Sequence, residues 1–187
     1  MHDTSTGNGK VVVNRAMSLD GFIAGPGDAM NWIFDFMGPI EDEFPEIMAA
    51  TGAMLIGRRT YEVGKRMAED RSEVTPGYDG GAEFVLTHEP PDPPDPGVTF
   101  LTGDVGEAVA TALHAAGGKN LEILGSDVAR QCLRRGLVDE ILVYVLPVLL
   151  GDGTRFLSSP GLAQIDLEPL GSTRAGAVTV LRFRVRK

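Results

Sequence analysis

The stretch AMLIGRRTYEVGKRM, residues 53–67, decides the fold. Its first four residues are apolar and too few for a helix, so residues 53–56 are predicted to form a short central strand. Gly57 follows, and Arg58, Arg59 and Thr60 then open a helix that is predicted to run to about Met67. A buried strand that passes through a glycine into a helix is typical of an α/β domain with a parallel sheet.

The same alternation of strand and helix continues on both sides of this stretch. Strands are predicted at 11–16, 83–87, 98–101, 121–124 and 138–150, the last interrupted by Pro147, and helices at 40–50, ended by Gly52, at 105–116 and at 128–135. Residues 164–170 and 178–185 alternate apolar and polar across a turn at 171–176, which predicts an antiparallel hairpin. We expect a three-layer α/β fold, with a mostly parallel central sheet, an antiparallel C-terminal edge hairpin and helices on both faces.

Length and charge limit the class of protein. A chain of 187 residues fits one domain, expected over 1–187 with residues 1–10 as a flexible tail. Asp and Glu number 26 against 17 Lys and Arg, and the net charge of -9 makes nucleic acid and anionic membranes unsuitable partners.

The cysteine count and the N-terminus bear on location. Cys132 is the single cysteine, so an intramolecular disulfide is impossible, and we expect it to be a small apolar residue of a helix. The first ten residues lack the apolar core of a secretory signal, and no run reaches the roughly 20 apolar residues of a membrane span. A cytoplasmic protein is expected.

Two predicted helices begin with glycine, at Gly57 and at Gly125. Their unpaired N–H groups and positive dipole would favour a phosphate, to which Arg58 and Arg59 add charge and Thr60 and Ser126 add hydroxyls. The alternative is a solvated helix start with surface arginines, and a serine that only caps its helix. The Gly-x-Gly-x-x-Gly fingerprint of Rossmann folds is absent.

Three motifs resemble a known family: MSLDGFIA at 17–24, MLIGRRTYE at 54–62, and GLVDEI at 136–141 followed by PVLLGDG at 147–153. They are similar to the dihydrofolate-reductase-like family that includes the C-terminal reductase domain of the bifunctional riboflavin-biosynthesis deaminase-reductase. The resemblance extends from about Val11 to Val185. Where the family commonly has a glycine pair after the fifth strand, this chain has Leu124 and Gly125.

This resemblance implies an NADPH cofactor that lies across the carboxyl ends of the strands. Ala24 would then lie by the nicotinamide, while Thr87 and His88, helped by Arg58 or Arg59, would read the adenosine 2′-phosphate. For His88 the alternative is an exposed loop histidine. The residues implied at the diphosphate are Gly57, Arg58, Arg59, Thr60, Gly125, Ser126, Asp127 and Val128.

Hydride transfer to a C=N or C=O group needs a proton source nearby, and carboxylates are the candidates. Asp20 and Glu41, the first acid of the cluster Glu41, Asp42 and Glu43, are the predicted catalytic residues. Asp20 could instead shape its turn, and the cluster could instead complement a helix dipole. The predicted substrate-binding residues are Asp20, Trp32, Gly151 and Gly153, although a single tryptophan is more often core packing. No ligand spacing indicates a metal.

These observations predict an NADPH-dependent reductase of a small heterocyclic substrate. The substrate would be a 5-amino-6-(5-phosphoribosylamino)uracil-like pyrimidine or a dihydrofolate-like pterin. The alternative is a nucleotide-binding or dimeric scaffold protein that keeps the fold without the chemistry. We also expect a homodimer, built from the apolar strand at 141–150 and the C-terminal hairpin.

Overall fold

An eight-stranded sheet forms the centre of the molecule in the computed structural model, which describes residues 9–36, 38, 44–70, 81–157 and 162–187. The strands of the described residues, of which β2 and β8 lie outside this sheet, are β1 (Val11–Ser18), β2 (Phe22–Ala24), β3 (Thr51–Gly57), β4 (Ala82–Leu86), β5 (Val98–Leu101), β6 (Asn120–Leu124), β7 (Glu140–Leu146), β8 (Thr154–Arg155), β9 (Leu167–Ala175) and β10 (Val178–Val185). The helices are α1 (Phe44–Ala50), α2 (Arg58–Asp70), α3 (Val105–Ala115) and α4 (Ser126–Arg134), with 3-10 turns at Pro26–Asp28 and Asn31–Phe36.

The strand order of this sheet is β5-β4-β3-β6-β1-β7-β10-β9. All neighbours from β5 to β7 are parallel, whereas β10 is antiparallel to both β7 and β9. The short strands β2 and β8 pair separately. The predicted three-layer fold, with a mostly parallel sheet and an antiparallel hairpin at its C-terminal edge, is therefore confirmed.

Side chains that alternate along the strands build an apolar core on each face of the sheet. On one face, Leu55, Leu121 and Ile123 are fully buried against α3 and α4. On the other face, Tyr144 and Leu146 pack in a cluster that includes α1, and Met54 and Ile56 pack with Tyr61 of α2. Strands covered on both faces read as continuous apolar runs, as the sequence of β3 does.

Three predicted boundaries are wrong. Gly52 does not end a helix but lies inside β3, where a Cβ would stand 2.1 Å from the carbonyl oxygen of Ala116. The strand predicted over 138–150 stops at Leu146, directly before Pro147, which has no N–H for a ladder. The hairpin turn is not six residues long: Ala175 pairs with Val178, so only two residues connect the strands.

The predicted homodimer interface also needs correction in one part. β7 lies between β1 and β10 and therefore offers no free edge to a second chain. β9, by contrast, is the last strand of the sheet, and most of its residues are exposed.

Three smaller observations complete the fold. Cys132 is fully buried in α4, and burial raises the pKa of its thiol to about 12, so it is the apolar helix residue that was expected. Lys10 already contacts the sheet, because its N–H donates to Asn120 and its ammonium pairs with Glu140.

Among the helices in the described ranges, none is long and apolar enough to cross a membrane.

Candidate functional site

A crevice opens where the carboxyl ends of β1, β3 and β6 meet. β1 pairs with β6 only as far as Val13 and Ile123, but it pairs with β7 as far as Ser18. β1 therefore continues past the end of β6. From the neighbouring strands, α2 leaves on one face of the sheet and α4 on the other, and such a divergence is where open α/β sheets bind ligands.

The starts of α2 and α4 touch each other across this crevice. A Cβ on Gly57 would lie 3.3 Å from Cγ2 of Val128 at the start of α4. Gly125 has φ +98°, and a Cβ there would lie 2.5 Å from Oγ1 of Thr60 in the first turn of α2. Both glycines thus allow a close approach that side chains would prevent. The unpaired N–H groups of two helix N-termini consequently face one small region.

The central cavity, of about 420 Å³, lies beside these helix starts. Its apolar wall is formed by Ala16, Ile23, Ala24, Met30, Ile33 and Val63. Its polar wall is formed by Arg15, Asp28, Arg59, Thr60, Ser126, Asp127, Arg130 and Thr154, with Gly125. A flat apolar ring and an anionic group can therefore both be accommodated.

The outer cavity, of about 400 Å³, lies on the other side of the start of α4. It is lined by Arg58, Leu86, Thr87, His88, Glu89, Gly103, Asp127, Val128 and Gln131. Asp127 lines both cavities, so they are neighbours. The structure thereby brings nearly all predicted cofactor-binding residues to two adjoining cavities, with Ala24 in one and His88 in the other.

The two arginines at the start of α2 are held by carboxylates. Arg59 binds Asp28 through Nη2 at 2.7 Å and through Nε at 3.0 Å, and Arg66 Nη2 lies 3.6 Å from the same carboxylate. Arg58 pairs with Glu62 of its own helix at 2.7 Å and with Glu89 at 3.3 Å. Hydrogen bonds to these carboxylates raise the pKa of both guanidinium groups. Both arginines would have to exchange these partners, or share them, to bind a phosphate.

Asp20 is held at the loop that follows β7. Its carboxylate accepts hydrogen bonds from the hydroxyl of Ser18 at 2.6 Å, from the N–H of Leu150 at 3.1 Å and from the N–H of Gly151 at 2.7 Å. The Ser18 hydroxyl and these backbone donors lower the pKa of Asp20 to about 2. A carboxylate that is ionised and fully hydrogen-bonded at neutral pH suits the turn-shaping role better than proton donation.

The remaining predicted substrate residues are not part of the lining of the central cavity. Trp32 is half-buried and packs against the apolar cluster of Tyr144 and Leu146. Its indole N–H donates to the carbonyl of Ala29 at 3.2 Å. Gly153 packs on β2, where a Cβ would stand 2.1 Å from the carbonyl oxygen of Ala24. Glu41 lies outside the described residues. In the described part of the chain, no group of three or more His, Cys, Asp or Glu side chains could hold a metal ion.

Sequence reasoning missed Arg15 and Asp28. Arg15 interrupts the apolar run of β1, and a charged residue in a central strand is the signal that could have drawn attention to it. Asp28 lies in a glycine-rich loop and has φ +63°, a backbone conformation that the sequence does not reveal. Both residues line the central cavity.

The fold is that of a dihydrofolate-reductase-like α/β domain. The chain belongs to the family of RibD C-terminal domains, whose sequence model matches residues 9–181. It is similar to the uncharacterized protein YwjB of Bacillus subtilis, with 29% identity over 145 residues, which are 77% of this chain and 80% of the relative.

Solved structures with the same fold include three relatives of lower identity. A provisionally named riboflavin biosynthesis protein from a Shewanella species has 22% identity and a TM-score of 0.78, covering 95% of this chain and 99% of the other. The deaminase/5-amino-6-(5-phosphoribosylamino)uracil reductase of Thermotoga maritima has 18% identity and a TM-score of 0.67, covering 95% and 57%. Dihydrofolate reductase from Enterococcus faecalis, complexed with NADP(H), has 17% identity and a TM-score of 0.62, covering 97% and 99%.

Proposed function

We propose that this chain is an NADP(H)-dependent reductase of a small heterocyclic substrate. A 5-amino-6-(5-phosphoribosylamino)uracil-like pyrimidine and a dihydrofolate-like pterin are the two substrate types. The observation that carries the proposal is the contact between the starts of α2 and α4, with a cavity on either side. The family and the reductase-type fold of the solved relatives support it.

The residues present fit the two ends of such a dinucleotide. The apolar wall at Ile23 and Ala24 suits a nicotinamide ring, and the outer cavity offers Arg58, Thr87 and His88 to an adenosine 2′-phosphate. Between them, Thr60, Gly125 and Ser126 line the central cavity, where the first N–H groups of α4 and the two hydroxyls suit a diphosphate. The same cofactor is bound in the Enterococcus faecalis relative.

When bound, the nicotinamide supplies the hydride, and the protein has to orient the substrate and allow a proton to reach the reduced group. The apolar wall of the central cavity excludes water from one side of the ring. Asp20 anchors the loop at Leu150 and Gly151 and is ionised at neutral pH. We therefore assign proton delivery to water or to Glu41, with Asp20 as a positioning residue.

The test is a titration of the purified protein with NADPH and with NADH, followed by nicotinamide fluorescence. Dihydrofolate or the pyrimidine is then added. We expect NADPH to bind tightly and to be oxidised after one substrate is added. Binding without oxidation would favour the scaffold alternative, and binding of neither nucleotide would remove the proposed function while leaving the fold intact.

A pair of variants tests the assignment of the 2′-phosphate. Changing Arg58 to alanine should weaken NADPH by about 10-fold or more and NADH much less, because a charge-assisted bond to the 2′-phosphate is lost. Arg134→Ala, which removes an exposed arginine from the last turn of α4, is the control. Equal weakening of both nucleotides would contradict the assignment.

A further inference from the structure

Arg15 occupies a position where a cation is costly. It lies in β1 two residues past the last pair with β6, and it pairs with Val143 of β7. Burial removes water from the guanidinium and lowers the pKa of Arg15 to about 10, so the group is still charged at neutral pH. Arg15 is partly exposed, but its Nε is buried, and a desolvated charge is costly unless some partner compensates it.

The described residues do not supply that partner. Nε of Arg15 is buried and has no hydrogen-bond partner, and no carboxylate in the described part of the chain lies within ion-pair distance of its guanidinium. Glu122 of the neighbouring strand attracts it only through space. The other arginines of the two cavities are all paired: Arg58, Arg59 and Arg130 each bind a carboxylate. Among the described cations that line the cavities, Arg15 is thus the one that lacks an anion.

Its side chain reaches the point where the two helix starts meet. β6 ends at Leu124, and the chain then turns away through Gly125, so the guanidinium of Arg15 can pass beside it into the central cavity. Nη2 of Arg15 lies 3.7 Å from the position that a Cβ on Gly125 would take, and Oγ1 of Thr60 lies 2.5 Å from the same position. A guanidinium, a hydroxyl and the N-terminal N–H groups of α4 therefore converge on one small volume.

We propose that Arg15 is the diphosphate-binding residue of the central cavity. The planar guanidinium, which extends from β1, donates to the phosphate oxygens. Thr60 of α2 and the first N–H groups of α4 donate to the same phosphates. This assignment rests on the proposed function, because the dinucleotide is the source of the diphosphate. The ligand then supplies the negative charge that the described residues do not place beside Arg15.

The experiment measures binding of inorganic pyrophosphate and of NADPH by isothermal titration calorimetry. It uses the wild type, Arg15→Met and Arg134→Met. Methionine keeps the apolar stem and removes the charge, so the ligand-free variant should have an unchanged or higher Tm. We expect Arg15→Met to weaken both ligands by about 10-fold or more and Arg134→Met to leave both within about 2-fold of the wild type. If Arg15→Met does not fold, Arg15→Lys keeps a charge but loses the planar fork and should still weaken both ligands.

The outcomes separate this inference from the proposed function. Wild-type affinity of Arg15→Met for pyrophosphate, equal weakening by both methionine variants, or no pyrophosphate binding by the wild type would each overturn the assignment of Arg15. Tight NADPH binding in all three proteins would overturn it as well but leave the reductase proposal standing. Arg15-dependent binding of pyrophosphate without binding of NADPH would keep the anion site and remove the nicotinamide cofactor.

Discussion

The hydroxyl oxygen of Thr60 lies 2.5 Å from the point that a Cβ on Gly125 would occupy. This contact joins the first turn of α2 to the start of α4, two helices on opposite faces of the sheet. It brings two sets of unpaired backbone N–H groups into one crevice.

Gly125→Ala should destabilise the protein for two reasons. A side chain at φ +98° is strained by about 1–3 kcal/mol, and overpacking against Thr60 adds about 1–3 kcal/mol. Gly103 is the matched control, because it has φ +97° but nothing within 4 Å of its Cβ position. Urea unfolding should show a larger loss of unfolding free energy for Gly125→Ala than for Gly103→Ala. Thr60→Ala in the Gly125→Ala background should recover part of the difference, and equal losses for the two glycine variants would disprove the contact.

Asp28→Asn should strengthen the binding of NADPH. Asp28 pairs with Arg59 at the cavity wall, with the aspartate side chain 16% exposed and the arginine 72% exposed. Removing its charge frees Arg59 and takes a negative group away from the proposed phosphate path, which should tighten binding about 2- to 5-fold. Asparagine also tolerates the φ of +63° at this position. Asp35→Asn, an equal charge change in the second 3-10 turn, should have no effect in the same fluorescence titration.

Glu122 should make the stability of the fold depend on pH. Burial raises the pKa of this carboxyl. The single hydroxyl proton of Thr51 faces the carbonyl of Ile47 at 2.7 Å and Glu122 at 3.0 Å, so a protonated Glu122 can donate to Thr51 when Thr51 donates to Ile47.

Because the folded pKa of Glu122 is raised, its contribution to stability is complete below its unfolded pKa and is lost as pH rises through the folded value. Thermal unfolding followed by circular dichroism should show the wild-type Tm falling over that interval. Glu122→Gln should show a smaller fall, since its amide stays neutral. An identical pH profile for the two proteins would contradict the prediction.

We predict that the protein is a homodimer that uses the exposed strand β9. An open sheet edge favours pairing with another strand, and Leu167 and Leu170 of β9 are 39% and 38% exposed. Light scattering should give twice the chain mass of 19.9 kDa. Changing both leucines to glutamate should give single chains, whereas Leu19→Glu, at a leucine exposed by 66% away from the hairpin, should leave the mass unchanged. A wild-type mass of one chain would remove the proposal.

The fold could be predicted well where local patterns report burial. The apolar run of β3 and the helices predicted at 105–116 and 128–135 lie within a few residues of the observed bounds. Gly52 was misread because its reason is distant in sequence: it allows the backbone of β3 to approach Ala116. The hairpin was misread because β9 contains a bulge opposite Arg182 and Phe183, which breaks the alternation on which a strand is recognised.

The site could be predicted only in part for a similar reason. Glycine, arginine and threonine at a helix start are a local signal, and Gly57, Thr60 and Gly125 do meet in the structure. The pairing of Arg59 with Asp28 and the reach of Arg15 past the end of β6 depend on how distant segments are stacked. No spacing along the chain encodes them.

Because Asp127 belongs to the walls of both cavities, a dinucleotide would be bound in the manner of a bidentate chelate. Once one half is seated, the other half is held next to its own cavity at a local concentration of about millimolar or more. The mononucleotide halves, offered separately, would bind weakly and side by side without competing. The intact molecule would bind more tightly than either half because its two halves arrive together.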